Sequence, residues 1–436
     1  MALGLVAGWS CVVCGKHVDI AEPFVWRCPN ATDDDRHHAL QMVQSIAPLR
    51  GSDDANPLLA FQRYLAWDSF AAANGMTEAA RVAMIANVDT AIAGVDGIGL
   101  HTTPFARADE LSDALGFTAD GGVWIKDETG QVAGSHKPRH LVTILLHVLS
   151  AESLGLATWS GVTNRPPLAI ASCGNAAFAA GVLAKAADWP LRVFVPPHAD
   201  LVVLAGLRDL DAEIIECPRG DIDPPGDPCM HRFREAVAGG AIPFTVQGTE
   251  NAWCLDGGRT IGWEMARQFE ETEIGPPLDR VFAQVGAGTF AACLAAGVGM
   301  GGVMPKLHAV QTESCAPLRR AWDKAADLGG PTAAETHWSE LMWPWEHVGV
   351  SAADGILDDE TYDWIPVMRA MAGGGSPIVV TESVVDEANK LARKTTGINA
   401  SHTGTAGLAG LMAAIDDIDL SERVALVFSG VSRSAS

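Results

Sequence analysis

From about residue 90 onward, short apolar runs rich in β-branched residues alternate with alanine-rich stretches of helical spacing, and few folds accept such a sequence. A strand that reads as an unbroken apolar run is buried on both faces, which calls for a parallel sheet covered by the helices of its own crossovers. LAIAS (168–172) has this form and leads through CGN into AAFAAGVLAKAA. RVFVP (192–196), EIIEC (213–217) and PFTV (243–246) continue the series, and a second one follows in RVFAQV (280–285), KLHAVQT (306–312), PIVVT (377–381) and RVALVF (423–428). Two successive series predict an α/β chain of two lobes, each an open, mostly parallel sheet covered by helices, with a cleft between them. The expected division is a Cys-containing amino-terminal cap at 1–32, a first lobe at 33–245 and a second at 246–436, without a fixed-period repeat or a low-complexity linker. The stretch from Thr336 to Trp364 holds Trp338, Trp343, Trp345 and Trp364 and reads either as an inserted lid or as an aromatic core patch.

With 436 residues, both lobes are large enough for a full core. Thirty Lys and Arg against 53 Asp and Glu leave a net charge of −23, which argues against a nucleic-acid binder, because such affinity comes mostly from basic residues releasing counterions. The expected partner is a small molecule. The first basic residue is Lys16, so the apolar start lacks the positive region of a secretory signal, and no apolar run reaches the roughly eighteen residues of a membrane span. Nine scattered cysteines fit a reducing compartment. A cytoplasmic protein that does not engage membranes is the expectation.

Cys11-Val-Val-Cys14 and Cys28-Pro29 begin like a zinc ribbon, in which two C-x2-C knuckles supply four thiolates. Asn30 and Ala31 stand where the second knuckle would close, so a fourth thiolate is missing, and His17, His37 or His38 would have to complete a site. The simpler reading is a degenerate knuckle packed as a cap, with no metal bound.

Ligands of open α/β sheets bind beyond the carboxyl ends of strands, at loops leading into helices. VGAGT (285–289) lies between RVFAQ and AACLAAGV, where small residues and a helix amino terminus make a phosphate cradle or merely a tight turn. It is neither a Walker A loop nor a full dinucleotide fingerprint. Ser172-Cys173-Gly174-Asn175 offers hydroxyl, amide and backbone donors suited to a carboxylate or phenolate, with a helix N-cap as the competing explanation. Lys137, in GSHKPRH (134–140), is either a solvated lysine or, with a lowered pKa, a nucleophile toward a carbonyl.

The order is the informative part: a lysine in S-x-K-x-R, then S-x-G-N, then a Gly-rich loop, then a terminal strand ending in Ser429-Gly430. It resembles the pyridoxal-phosphate enzymes of the tryptophan synthase β superfamily, fold type II, over residues 100 to 433. HTTPFARADELSDALG, NAWCLDGGRTIGWEMARQ, QTESCAPLRRAW, SAADGILDDETYDW and TGTAGLAGL, with the Cys-containing segment, are nearest the threonine synthase and diaminopropionate ammonia-lyase branches. The resemblance implies pyridoxal 5'-phosphate as cofactor, held in the cleft, and a homodimer. Lys137 matches the lysine that forms the Schiff base and later moves the substrate's α-proton. His136 matches a residue near the cofactor phosphate in the G-S-H-K version of the motif. Ser172, Gly174 and Asn175 match the loop that receives the substrate carboxylate, its Asn contacting the phenolic oxygen. Gly286, Ala287, Gly288 and Thr289 match the phosphate loop, and Ser429 the hydroxyl facing the pyridine nitrogen. Glu313 aligns with an acidic or polar position near the ring in some relatives.

Pro138 and His140 stand where threonine synthase relatives carry Asp and Gly, Gly-Ala-Gly-Thr replaces four glycines and offers a Thr hydroxyl to the phosphate, and Cys173 replaces a Ser, Ala or Thr. The implied reaction is α-proton abstraction and β-elimination from an α-amino acid, giving a 2-oxo acid and ammonia. The alternatives are a threonine synthase-like or β-replacement reaction and, in another class, a non-catalytic cofactor-binding regulatory subunit. A phosphorylated substrate would need further basic residues, for which only Lys126, Arg139 and Arg165 are at hand. A nicotinamide-dependent dehydrogenase is disfavoured because the Gly loop lies late and only Glu313 follows at a suitable distance. The loop GDIDPPGDPCMH (220–231) and the Trp-rich stretch are the expected specificity elements.

Overall fold

The computed structural model describes residues 5–45, 47–272 and 277–433. Its strands are, in chain order, β1 (Val6–Cys11), β2 (His17–Asp19), β3 (Leu40–Gln44), β4 (Phe105–Arg107), β5 (Gly122–Asp127), β6 (Leu168–Ala171), β7 (Leu191–Val195), β8 (Glu213–Glu216), β9 (Ile242–Pro243), β10 (Arg280–Gln284), β11 (Lys306–Thr312), β12 (Ser376–Val380) and β13 (Arg423–Phe428). They form three sheets, of order β2-β1-β3, β8-β7-β6-β9 and β12-β11-β10-β13-β5-β4. The first is antiparallel, the second parallel, and the third parallel apart from β4, which runs antiparallel to β5 at the edge.

The apolar runs become strands because both faces are covered. Val424, Ala425, Leu426 and Phe428 are fully buried, and those of β13 that face opposite ways feed two separate cores: Ala425 and Val427 one, Val424, Leu426 and Phe428 the other. PFTV shortens to Ile242–Pro243, since Pro243 has no N–H for a ladder and the chain turns away after Phe244 bonds Ala169. EIIEC forms a half-exposed edge strand of four residues.

The two larger sheets do not divide the chain sequentially at 245/246. β5 lies beside β13, pairing Gly122 with Arg423 through to Asp127 with Phe428, so the segment before Lys137 belongs to the sheet that otherwise holds the carboxyl-terminal strands. Hydrogen-bond pairing of a buried parallel strand is decided by the partner that covers it, which local periodicity does not reveal. The amino-terminal sheet packs on a third core, which also holds Leu168 and Ile170 of β6 and Leu191 and Val193 of β7: Trp9 meets Trp253 edge-on, with ring centroids 5.3 Å apart. Trp364 is fully buried at the start of the helix Trp364–Met371 and Trp338 packs on the same core, whereas Trp343 and Trp345 sandwich the Arg320 guanidinium at 3.8 and 4.9 Å. The Trp-rich stretch is thus core patch at its ends and a cation-holding surface between them.

Candidate active site

Lys137 opens the helix Lys137–Ser153, with His136 as N-cap and Pro138 in the first turn, where its fixed φ and missing N–H cost nothing. Pro138, which departs from the family pattern, therefore serves as a helix starter. The chain enters through a tight turn in which Ala133 has φ 53° and Gly134 φ 60°, a left-handed entry that L residues such as Ala133 accept only at a cost of about 1 kcal/mol. Lys137 is half-buried, and burial lowers its pKa, opposed by the carboxylate of Asp358.

Three other segments converge on it. Ser429, at the end of β13, accepts on its carbonyl the His136 N–H at 3.0 Å, and its hydroxyl accepts Gln284 Nε2 at 2.7 Å. Ser135 and Gly430 form a bridge, and a Cβ on Gly430 would come within 2.9 Å of Asn175 Nδ2. The His136 ring lies 4.6 Å from that of Phe290, next to Thr289. Lys137, the Asn loop, the Gly loop and Ser429 are thus neighbours although spread over almost three hundred residues.

The Asn loop ends at Gly174, the N-cap of Asn175–Ala186, and Ser172 Oγ accepts the Gly174 N–H at 3.3 Å. A Cβ on Gly174 would meet no atom within 4 Å, so the loop faces open space. Asn175 is partly committed: its Nδ2 donates to Val431 O at 3.1 Å and its Oδ1 accepts Arg433 Nε at 2.8 Å, leaving one N–H. The Gly loop turns at Gly288, φ 90°, into the helix Thr289–Gly299. A Cβ on Gly286 would collide with the Asp358 carboxylate, and one on Gly288 would press on Thr361, so bare backbone is required there. The Thr289 hydroxyl donates to Asp363, which also accepts the Gly248 N–H at 2.7 Å. In this arrangement it ties the loop to its wall and does not point at a ligand.

Asp358 and Asp363 were missed by sequence reasoning, although both stand in GILDDETYDW, whose density of acids was the available signal. Burial pushes Asp358 up to about 7, against the pull of Lys137, and Asp363 to about 6. Cys173, at the mouth, is pushed up to about 11 by desolvation and by Asp354, Asp227 and Asp358. Arg433, which reaches Asn175 and lies 4.3 Å over the Phe178 ring, was also missed. Glu313 is not brought in: it is exposed and accepts the Glu382 N–H at 3.4 Å.

The three cations available for a phosphorylated substrate are all occupied. Lys126 Nζ bonds Thr103 O at 2.7 Å, Glu264 at 2.5 Å and Gln268 at 2.8 Å. Arg139 bonds Glu128 at 2.8 Å and Glu264 at 2.6 Å, completely buried, and Arg165 pairs with Glu152 at 2.5 Å while lying on Trp189.

Pyridoxal phosphate fits what is present. Ser135 Oγ, His136 Nε2 and His140 Nε2 are buried without a hydrogen-bond partner among the described residues, which is costly unless a ligand engages them. His136 Nδ1 lies 3.0 Å from the Ser429 carbonyl and so carries the proton, leaving Nε2 an acceptor while the ring is neutral; burial holds its pKa far below the usual range. A doubly charged phosphate beside it favours the protonated ring.

A family model described as pyridoxal-phosphate dependent enzyme matches residues 98–430. No curated protein sequence matches. Among solved structures, the chain resembles a threonine deaminase from T.th., at 21% identity and TM-score 0.60, covering 81% of this chain and 99% of that one. It also resembles serine racemase from Dictyostelium discoideum, at 17% and 0.57, covering 79% and 97%. A fungal L-serine ammonia-lyase from Rhizomucor miehei is similar at 16% and 0.57, covering 77% and 95%. At these identities the likeness is one of fold. Among the described residues no helix is long and apolar enough to cross a membrane.

Proposed function

The chain belongs to the pyridoxal-phosphate-dependent enzymes of fold type II, and we propose that within them it is a lyase that removes the α-proton and the β-substituent of an α-amino acid, leaving a 2-oxo acid and ammonia after hydrolysis. The observation that carries this reading is the charge of the cleft. Lys126, Arg139 and Arg165 are consumed by Glu264, Glu128 and Glu152, and the Cys173 thiol feels the negative charge of Asp354, Asp227 and Asp358, so none of these three cations is free to receive a phosphorylated leaving group. A β-hydroxyl or β-amino group suits such a site, and an amine suits it best.

Bound pyridoxal phosphate supplies the electron sink for the α-carbon. The chain's own residues do the rest. Gly286 to Thr289 and the amino terminus of Thr289–Gly299 hold the phosphate through backbone N–H groups. Gly174 and Asn175, at the amino terminus of a twelve-residue helix, receive the substrate carboxylate with Ser172. Ser429 offers the pyridine nitrogen a neutral hydroxyl. Lys137, its pKa lowered by burial, takes the α-proton, and Asp358 keeps a titratable carboxyl near that amine.

The test is a visible spectrum of purified protein reconstituted with pyridoxal phosphate, recorded with serine, threonine and diaminopropionate of both hands. The expected result is a long-wavelength band that Lys137→Ala abolishes and that shifts with one amino acid as 2-oxo acid accumulates. A shift without 2-oxo acid would count for replacement, racemisation or silent binding, and protein that takes up no cofactor would overturn the reading.

A further inference from the structure

The amino-terminal segment holds a constellation that the chemistry of the cleft does not use. Cys11 ends β1, Cys14 sits in the turn to β2, Cys28 follows in the next loop, and His38 stands two residues before β3. One donor atom from each lies within 4.8 Å of all the others. Cys14 and Cys28 sulfurs are 3.6 Å apart, and Cys11 Sγ is 3.4 Å from His38 Nδ1. Four donors around one zinc ion, with Zn–S near 2.3 Å and Zn–N near 2.0 Å, stand about 3.5 to 3.8 Å apart along the edges of the tetrahedron. The two edges, 3.6 Å between sulfurs and 3.4 Å between sulfur and nitrogen, fall within about 0.2 Å of those values. A disulfide does not account for them, since all three cysteines are free thiols and the Cys14 and Cys28 sulfurs are far beyond bonding distance.

The surroundings point the same way. His38 Nε2 lies 3.1 Å from Asp35 Oδ2. A carboxylate accepts only, so the ring proton sits on Nε2 and the Nδ1 lone pair faces Cys11, the carboxylate–histidine–metal relay that orients zinc-binding imidazoles. Asn30 Nδ2 donates to Cys14 Sγ at 3.4 Å, a bond that eases the charge of a thiolate. Asn30, inside the broken second knuckle, thus supports a ligand of the first. Of His17, His37 and His38, only His38 stands in the cluster; His37 turns away to Glu360 and Trp364.

We propose that Cys11, Cys14, Cys28 and His38 bind one zinc ion in a closed tetrahedral site. Three thiolates and an imidazole are soft and borderline ligands that select zinc over magnesium or calcium, and four protein ligands leave no open position, so the ion is structural. It fastens the strap that follows: Arg36 and His37 reach Glu360 at 3.6 Å, the Trp364 indole donates to His37 at 3.2 Å, and Arg369 donates to Gln41 at 3.1 Å. Those partners flank Asp358 and Asp363, so the ion braces from behind the wall that carries the two carboxyl groups of the site.

The experiment is metal analysis of untagged, full-length protein purified under reducing conditions and desalted through chelator, with zinc-edge X-ray absorption on the same sample. The expected result is one zinc per chain with three sulfur neighbours and one nitrogen. Cys28→Ser and His38→Ala should each reduce the zinc to traces, whereas His38→Cys should keep a full equivalent with four sulfur neighbours. Folded wild-type protein without stoichiometric zinc, a Cys14–Cys28 disulfide under reducing conditions, or zinc ligated only by nitrogen and oxygen would overturn the proposal. The wild-type measurement decides even where a variant fails to fold.

Discussion

On the proposed reading, two glycines separate cofactor binding from substrate binding. Gly286 lies against the Asp358 carboxylate and Ile356, so a methyl group there forces the phosphate loop from its wall, whereas Gly174 faces open space. Gly286→Ala should weaken pyridoxal phosphate binding by 10-fold or more, about 1.4 kcal/mol at the least, seen by titrating the cofactor into the protein. Gly174→Ala should keep the cofactor and raise KM for the amino acid by roughly 10-fold with a smaller change in kcat, because the methyl occupies space meant for the carboxylate. If both variants lose the cofactor alike, the Asn loop does not serve the carboxylate. Lys137, Asn175, Gly286 and Ser429 were legible because their residue types and order are dictated by chemistry. Asp358, Asp363 and Arg433 were not, since an acid or an arginine in a loop acquires meaning only from what the fold sets beside it: Thr289 and Asp363 are 74 positions apart, Asn175 and Arg433 258.

The helix Lys137–Ser153 carries its lysine at one end and is seated through a histidine on its buried side. His147 stacks on Trp253 at 4.0 Å, approaches Phe70 at 4.3 Å, and accepts the Phe24 N–H on Nε2 at 3.1 Å, which joins the helix to the loop before Cys28. Burial lowers its pKa to about 3. A pKa depressed in the folded state means that the unfolded chain binds the proton more readily. The stabilising contribution is then complete above the ordinary value of about 6.5 and is lost as pH falls toward about 3, at roughly 1.4 kcal/mol per pH unit. Replacing the ring by phenyl removes that proton while keeping the stack. Urea unfolding of His147→Phe should therefore lose less stability between pH 6.5 and pH 4.5 than the parent does, whatever the offset at neutral pH; equal losses would mean that His147 is not held neutral. The strands of both series were legible for a related reason, their burial on two faces being written in the local pattern. The membership of β5 was not, because it depends on Arg423–Phe428 lying alongside, just over three hundred residues later.

Across the whole molecule, one buried charge network holds the lysine-bearing helix to the large sheet. Lys126 comes from β5, Glu128 from just beyond it, Arg139 from the first turn after Lys137, and Glu264 from the helix Thr260–Thr272, with Thr103 donating to Glu128 at 2.5 Å. Lys126, Glu128, Arg139 and Glu264 are all essentially inaccessible to solvent. Such a network adds little over a well-packed apolar substitute, but removing one member strands charges that no water can reach. Glu264 would keep Lys126, whereas among the described residues the Glu128 carboxylate would keep the Thr103 hydroxyl alone. Arg139→Met should therefore cost about 3 to 5 kcal/mol in urea unfolding of the reconstituted protein. Adding Glu128→Gln neutralises the stranded carboxylate and should recover about 1 kcal/mol or more, which two independent changes would not do. Since Arg139 lies two residues from Lys137, the lysine proposed to move the α-proton, the single variant should also lose activity per folded molecule, and the double variant should regain stability without regaining all of the activity. A cost below about 1 kcal/mol for Arg139→Met would show that apolar packing alone, without the network, fixes the helix over the cleft.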